Sequence, residues 1–548
     1  MMSENNIGKP ERSSQNRIIQ LFQEKLNYAY WGNWEYEERE LPIERVVLLE
    51  FLIQKKGYSQ KLAVKAIDQL EQACHSVGHG LYAANKEVYK LLRYGANVRE
   101  ELGEVKDTVQ LIDWRNPENN IFAIAEEVTI KGKKRVRPDV VIYVNGIAMA
   151  VLELKSSTKG VEEGIRQNLR NQEDDFVPKF FTAMQLVLAG NDTEGLRYGT
   201  IKTPDQYYLK WKEESELTFD YSIDKHLYQL FNKERFIELM RDFIIFDKGV
   251  KKLSRPNQYF GIKAAQERIQ KREGGILWHT QGSGKSLTMA WLAKWIRSNI
   301  DDSRVVIITD REELDEQIEK LFLGVEENIY RTKSGHDLID SLQDKQKMLV
   351  ASLVHKFGSK QKNSNDDEYI KDLQSQLSAN FHAPGNIFVF VDECHRTQSG
   401  KLNKAMQAIL PDALFIGFTG TPLLKKDKEK SIEVFGPYIG EPYRFDEAVA
   451  DGVVLDLLYE ARDVEQFITD QERIDEWFEA KTKNLTDIAK IELKKKWGTI
   501  QKVLGSKSRL NKIVNDIIHD FDLRNVPLSL PMSQEKQMIE MSIRVEMG

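Results

Sequence analysis

Apolar positions change period twice along the chain. From about Ile18 to Leu102 they recur at helical spacing. VVLLEFLIQKKG (46–57) and AVKAIDQLEQA (63–73) are amphipathic, and Gly57 is placed to stop a helix. Near residue 120 the period shortens. IFAIAEEVTI, PDVVIYVNG, IAMAVLELK and QLVLAG predict strands, with Asn145-Gly146 as a hairpin turn between two of them. Residues 211–256 are mixed and charged, carrying KEESE (212–216) and DKGVKKLSRP (247–256), and are expected to contain a domain boundary. Beyond them short apolar strands alternate with helices: GGILWHT, VVIITD, MLVAS, NIFVFVDE, ALFIGFTG. That alternation predicts a parallel sheet. The expected division is a flexible polar tail (1–17), a first α/β domain (18–245), a second with the parallel sheet (246–460), and charged helices (461–548).

Composition narrows the class. Of 548 residues, 79 are Lys or Arg and 85 Asp or Glu, a net charge of −6, so overall basicity does not drive any nucleic-acid contact. With 41% hydrophobic and 30% charged residues the chain suits folded domains. No apolar run approaches the roughly 18 residues of a membrane span, and the polar start does not read as a secretory signal. Two distant cysteines, Cys74 and Cys394, make neither a disulfide framework nor a Cys-rich zinc site. The expected compartment is the cytoplasm, with no membrane partner.

GGILWHTQGSGKSLTMAWLAKWI (274–296) reads as strand, Gly-rich turn and helix. In Thr280-Gln281-Gly282-Ser283-Gly284-Lys285-Ser286 the glycines let backbone N–H groups turn toward phosphate oxygens. Lys285 would reach the β/γ-phosphates of ATP, and Ser286 would bind Mg²⁺. His279 stands where the strict loop has glycine, which fits the T-x-G-x-G-K-S form of superfamily-two motors. NIFVFVDECH (386–395) ends a strand in Asp392, a candidate Mg²⁺ anchor, and Glu393, a candidate for polarising the attacking water. Thr419-Gly420-Thr421-Pro422 is a candidate phosphate sensor, and Gln258 in RPNQYFGIKAAQ a candidate adenine reader. VVIITDREELDEQI (305–318) and VASLVHKF (350–357) are candidate DNA-backbone contacts. Each string also has a plainer structural reading, but the order and spacing of the loop, DECH and TGTP point to an ATP-dependent motor.

RPDVVIYVNGIAMAVLELK (137–155) sets Asp139 at the start of one strand and Glu153-Leu154-Lys155 on its hairpin partner. Glu153 and Lys155 are two apart and leave the same face. Asp139, Glu153 and the Leu154 carbonyl could hold Mg²⁺, with Lys155 beside a water that attacks phosphorus. The alternative is a structural Glu–Lys pair. KGKKRVR (131–137) precedes this site and is either a solvated hairpin or a phosphate-backbone contact. The following helix brings Glu163, Gln167, Arg170 and Gln172 near, and the spacing leaves open which glutamine supports the site.

Together LYAANKEVYKLLRYG, RPDVVIYVNGIAMAVLELK, QLVLAGNDTEGLRYGT, WHTQGSGKSLTM, VDECHRTQSG and GFTGTPLL resemble the restriction (R) subunit of type I restriction–modification enzymes, over about residues 20–460. The resemblance implies a PD-(D/E)xK-type nuclease domain followed by a RecA-like P-loop motor. It also implies ATP and Mg²⁺ as cofactors, double-stranded DNA as substrate, and modification and specificity subunits as partners. In the family a second motor lobe supplies arginines to the γ-phosphate. No such motif is recognisable after residue 460, so the expectation is a chain truncated after its first motor lobe. The competing classes are a nucleic-acid motor that does not cleave and an interaction module that docks on the methyltransferase core.

Overall fold

Asn145 and Gly146 take φ of 53° and 82°, the pair of positive angles that a two-residue hairpin needs. The strands they join form the centre of the first sheet. The computed structural model describes residues 11–101, 103, 105–309, 312–353, 383–394, 407, 409–421, 432–457, 471–483, 485–497 and 507–523.

The chain divides into two compact units, Met1–Leu455 and Asp456–Gly548. The first begins with α1 (Glu11–Gln20), β1 (Ala29–Asn33), α2 (Arg45–Glu50), α3 (Gln60–His75), α4 (Leu81–Tyr94) and the small β2 (Ala96–Val98)–β3 (Asp107–Val109) ladder. Then follow β4 (Phe122–Glu126), β5 (Val140–Val144), β6 (Ile147–Leu154), α5 (Val161–Asn171), β7 (Leu186–Asn191) and β8 (Gly195–Gly199). Six strands pair in the order β1-β4-β5-β6-β7-β8, antiparallel through β4–β5–β6 and parallel at β1–β4 and β6–β7. β5 and β6 are buried along their whole lengths. Val140, Ile142 and Val144 pack into one core cluster, while Val141 and Tyr143 pack into another on the opposite face. A strand covered on both sides can afford no polar alternation, which explains the unbroken apolar runs.

Two helices, α6 (Ser222–Leu230) and α7 (Lys233–Asp242), and the hairpin β9 (Ile244–Asp247)–β10 (Val250–Leu253) come next. The expected boundary region therefore holds packed structure: Leu227, Leu230, Phe236 and Ile244 all belong to the main core, and residue 245 lies inside β9. Lys251 on β10 is buried and donates to Asn85 Oδ1 (2.9 Å), the Met184 carbonyl (2.9 Å) and Gln185 Oε1 (2.7 Å). All three ammonium donors are satisfied by neutral oxygens, and burial pushes the amine well below its usual value.

The second large sheet is built from β11 (Gly275–Trp278), β12 (Ser303–Thr309), β13 (Tyr330–Arg331), β14 (Leu349–Leu353), β15 (Asn386–Val391) and β16 (Leu414–Thr419). Its order is β11-β16-β15-β12-β14-β13, parallel throughout as the alternation predicts. Helices α8 (Pro256–Gln270) and α9 (Lys285–Asn299) flank β11, and both contribute to the core cluster that runs back to α4 and α7. The second unit holds helices Gln471–Thr482, Asp487–Trp497 and Lys507–Leu523, with Phe478 buried and Lys490 paired to Glu479 at 2.7 Å.

The polar start corrects one expectation. Residues 11–17 belong to α1, not to a flexible tail. Ser14 and Gln15 are buried, Ser14 Oγ donates to Asp192 (2.7 Å), and Arg17 binds Asp192 (2.5 Å) and Asp224 (2.8 Å) while lying over Tyr221. Polar anchoring of this kind leaves no apolar period in the sequence. Arg17→Ala would strand two carboxylates. It should destabilise the protein by about 2–3 kcal/mol, below the range for a fully buried pair because Arg17 is a quarter exposed. Denaturant unfolding checks this, and an unchanged midpoint refutes it.

Candidate functional sites

At the end of β5–β6 the register brings the predicted carboxylate–lysine residues together. Val140 pairs with Leu152, which sets Asp139 against the strand end that carries Glu153 and Leu154. The Leu154 N–H donates to Asp139 Oδ2 at 2.6 Å. Glu153 is fully buried, and the Lys155 ammonium lies 3.8 Å from its Oε2. α5 crosses this strand end through Gly164, where a Cβ would come within 3.1 Å of Ala189 and 3.5 Å of both Glu153 and Lys155. One turn on, Gln167 Nε2 donates to Glu153 Oε2 at 2.8 Å. Gln167 is thus the glutamine that touches Glu153. Gln172 is spent elsewhere, on the Asn168 carbonyl and the Lys202 N–H. Sequence reasoning missed Gln15, whose amide donates to the Asp139 carbonyl (3.1 Å), Glu126 and Glu127. It lay in the stretch read as tail.

The electrostatics disfavour two negative charges on this pair. Burial pushes the Asp139 carboxyl up to about 6, against the pull of the Leu154 N–H and Lys155. Burial, and then the charge of Asp139, push Glu153 well above the usual carboxylate range. Glu153 Oε1 is buried with no hydrogen-bond partner. Two facing carboxylates, one orphaned oxygen and a nearby carbonyl are all hard oxygen donors, a set that fits Mg²⁺. The Leu154 carbonyl, expected as a ligand, accepts the Lys155 ammonium at 2.7 Å. Among the described residues no group of three His, Cys, Asp or Glu is placed to hold a metal, so any ion here rests on this pair and backbone oxygen.

The second site lies where β11 runs into α9. Gly282 and Gly284 take φ of 82° and 91°, and Gly284 caps α9. The loop is wound on itself: the N–H and Oγ of Ser283 both donate to the Thr280 carbonyl (3.2 and 2.6 Å), and the Thr280 N–H donates to the Tyr443 carbonyl. Gln281 and Ser286 flank the glycines and Lys285 opens the helix. Gln258 is buried with both ends of its amide engaged, accepting from the Arg255 N–H (2.9 Å) and donating to the Gly284 carbonyl (3.0 Å). Gln258, the expected adenine reader, is thus held against the loop by both ends of its amide. His279 packs against Gly261, where a Cβ would lie 2.9 Å from the ring, and meets Tyr443 edge-on. Burial and the charge of Lys285 push its imidazole down to about 3, so it is neutral.

β15 and β16 bring the acidic pair and the threonines to this loop. Asp392 Oδ1 accepts from the Glu393 N–H, and burial with the Glu393 charge pushes Asp392 up to about 6 against Lys285. Glu393 takes φ of 47°, an uncommon region for a side chain with a Cβ, and its Oε1 lies 3.8 Å from the Lys285 amine. Thr419 Oγ1 accepts from the Thr421 N–H (3.2 Å). Between them, a Cβ on Gly420 would fall 2.7 Å from the Lys285 amine and 3.0 Å from the Gln281 nitrogen. The cradle geometry, the lysine and the acidic strand end fit a Mg²⁺-bound nucleotide triphosphate. His395, Pro422, Asp310, Arg311 and residues 354–357 of the expected motifs lie outside the described residues.

Residues 9–206 match the family model for the type I restriction enzyme R protein N terminus, and residues 257–491 that for the SWI2/SNF2 ATPase. The chain is 27% identical over 568 residues to the type I restriction enzyme HindI endonuclease subunit of Haemophilus influenzae, covering 93% of this chain and 52% of that one. A Methanocaldococcus jannaschii protein provisionally named type I restriction enzyme MjaIXP endonuclease subunit is 28% identical over 558 residues, with the same coverage of 93% and 52%. The chain thus spans about half the length of the curated relatives it matches. A Sulfolobus solfataricus SWI2/SNF2 ATPase core in complex with dsDNA overlaps 35% of this chain and 36% of its own, at 16% identity and a TM-score of 0.27, too loosely to bear on function. Among the described residues no helix is long and apolar enough to cross a membrane. The chain thus resembles the R-protein N terminus in its first part and the SWI2/SNF2 ATPase in its second, and over nearly all of its length it is similar to type I restriction enzyme endonuclease subunits.

Proposed function

We propose that this chain acts in the cytoplasm as the endonuclease–translocase part of a type I restriction–modification complex. It would couple ATP-dependent movement along double-stranded DNA to Mg²⁺-dependent cleavage, in company with modification and specificity subunits. The observation that carries the reading is the pairing, in one compact unit, of two dissimilar phosphate-chemistry sites. One is the buried Asp139–Glu153 pair with Lys155, and the other is the Lys285 loop facing Asp392 and Glu393.

In the nuclease site Asp139 and Glu153 would hold Mg²⁺, which supplies charge stabilisation at phosphorus and an acidified water. The chain's residues prepare that site. The Leu154 N–H fixes Asp139 Oδ2, Gln167 fixes Glu153 Oε2 and thereby turns Oε1 inward, and Lys155 offers its ammonium to the phosphodiester. In the motor Ser286 and Asp392 would hold the nucleotide's Mg²⁺. Lys285 exchanges Glu393 for the β/γ-phosphates, which frees Glu393 to polarise water. Gly420, held between the mutually bonded Thr419 and Thr421, lies against the same lysine and loop, so the three would sense whether phosphate is present.

Because the sites share no residue, they should fail separately. With the partner subunits supplied, Asp139→Ala or Lys155→Ala should abolish Mg²⁺-dependent nicking while ATP turnover persists. Lys285→Ala should cut ATP turnover by at least about a hundredfold, since transition-state charge goes unbalanced. Plasmid nicking and steady-state ATPase read the two, and normal cleavage by Asp139→Ala would refute the nuclease assignment.

Gln167→Leu keeps both carboxylates but frees Glu153 to rotate. Mg²⁺ affinity should fall roughly tenfold to a hundredfold, as is typical when a ligand's orienting partner is lost. Isothermal titration of the ion checks it, with Gln172→Leu as the variant expected to retain affinity.

Proton and metal compete for the same oxygens. Asp139, raised to about 6, holds a proton below that pH, and burial also raises Glu153 well above the usual carboxylate range. Metal binding should strengthen as pH climbs through about 6 and beyond, where ordinary carboxylates would have levelled off near pH 5. A titration of Mn²⁺ binding between pH 5 and 8 decides this, and affinity that is flat above pH 5 contradicts it.

A further inference from the structure

The hairpin of residues 131–137 holds five basic side chains in seven positions and runs through Pro138 into Asp139. It closes by reciprocal bonds between Ile130 and Val136 (2.9 and 3.1 Å). It sits so tightly on residues 176–177 that a Cβ on Gly132 would meet the Phe176 carbonyl at 2.1 Å. Along its other side lies the segment Glu35–Glu40, with carboxylates at 35, 37, 38 and 40. That segment is fixed by its backbone: the Lys131 N–H donates to the Arg39 carbonyl (2.7 Å) and the Arg39 N–H to the Thr129 carbonyl (2.9 Å).

The side chains then pair across the seam. Glu38 takes Arg135 in close contact and Lys131 at 3.6 Å, and Glu35 takes Arg137, whose Nε also reaches Glu127 at 2.9 Å. The basic partners are 46–69% exposed, so each pair adds little stability and each cation can change partner. Glu127 in turn donates its N–H to the Asp139 carbonyl, so the row of cations leads to the carboxylate site.

We infer that residues 131–137 bind the phosphate backbone of duplex DNA entering the nuclease site, and that Glu35 and Glu38 occupy those cations in its absence as a built-in competitor. The inference rests on the nuclease reading above. A carboxylate and a phosphodiester offer the same oxygen geometry to an arginine fork. The acidic segment cannot drift away, because its own backbone is paired to the hairpin. DNA must therefore displace side chains at high local concentration, which weakens loose contacts more than those held by further interactions along the duplex.

The test is fluorescence anisotropy of a labelled duplex of about 20 base pairs with the whole chain in EDTA, titrated over salt. Glu35→Gln with Glu38→Gln should tighten binding about three- to tenfold. Glu101→Gln with Glu118→Gln, which makes the same charge change at exposed pairs elsewhere (Lys61–Glu101, Lys233–Glu118), should move affinity far less. Replacing Lys131, Lys133 and Arg135 by Gln should weaken binding at least tenfold and flatten the salt slope by about 2–3. Thermal melting of each variant confirms folding, which the backbone bonds of Arg39 preserve. Equal tightening by both Glu→Gln pairs, or no response to the first, overturns the competitor. An unchanged affinity in the basic triple variant overturns the DNA surface. Normal duplex binding combined with normal nicking by Asp139→Ala would instead remove the nuclease reading and leave this surface standing.

Discussion

Burying two carboxylates side by side at the end of a two-sided sheet is the constraint around which the first domain is arranged. Asp139 and Glu153 face each other in surroundings where either charge alone is costly, and every neighbouring element answers that cost. The hairpin register gives Asp139 a backbone N–H, α5 approaches closely enough at Gly164 to deliver Gln167, and Lys155 curls back toward the pair. Even α1, remote in sequence, is drawn in through Gln15. What remains is one buried oxygen of Glu153 with no hydrogen-bond donor, the feature on which the proposed Mg²⁺ site rests.

The nucleotide loop solves the opposite problem. There the backbone is arranged for an anion, and the chain holds the shape with groups that carry no net charge: a neutral His279 beneath the loop, the amide of Gln258 across its back, the hydroxyl of Ser283 inside the turn. Lys285 and Glu393 keep each other company at 3.8 Å, close enough to balance and longer than a direct hydrogen bond. The strained backbone at Glu393 is a local expense accepted to aim its carboxylate.

Much of this was legible in the residues. Strands buried on both faces announce themselves as unbroken apolar runs, Asn-Gly marks its own turn, and βα alternation implies the parallel sheet. The site residues were legible because polar groups interrupting such runs need a reason to be there. The rest depended on contacts with no local signature. Residues 11–17 look like solvent-loving tail because their burial is polar, and only tertiary partners such as Asp192 and Asp224 reveal it. Spacing alone could not choose between Gln167 and Gln172, since the choice is made by where Gly164 lets the helix sit. The packed helices around the expected boundary were not legible because a charged surface conceals the inner faces of α6 and α7.

The lysine buried at position 251 has a consequence for how the two halves of the first unit respond to their surroundings. Its three partners are dipoles, with no carboxylate among them, and all lie beyond the reach of solvent. Dissolved ions screen contacts between exposed charges over about 10 Å of water, but they do not enter such a pocket. The packing of β10 on Asn85 and Gln185 is therefore insensitive to ionic strength, while the exposed basic hairpin proposed to meet nucleic acid would be tuned by it. An alignment held this way would stay fixed while the proposed grip on DNA loosens or tightens with the surrounding salt.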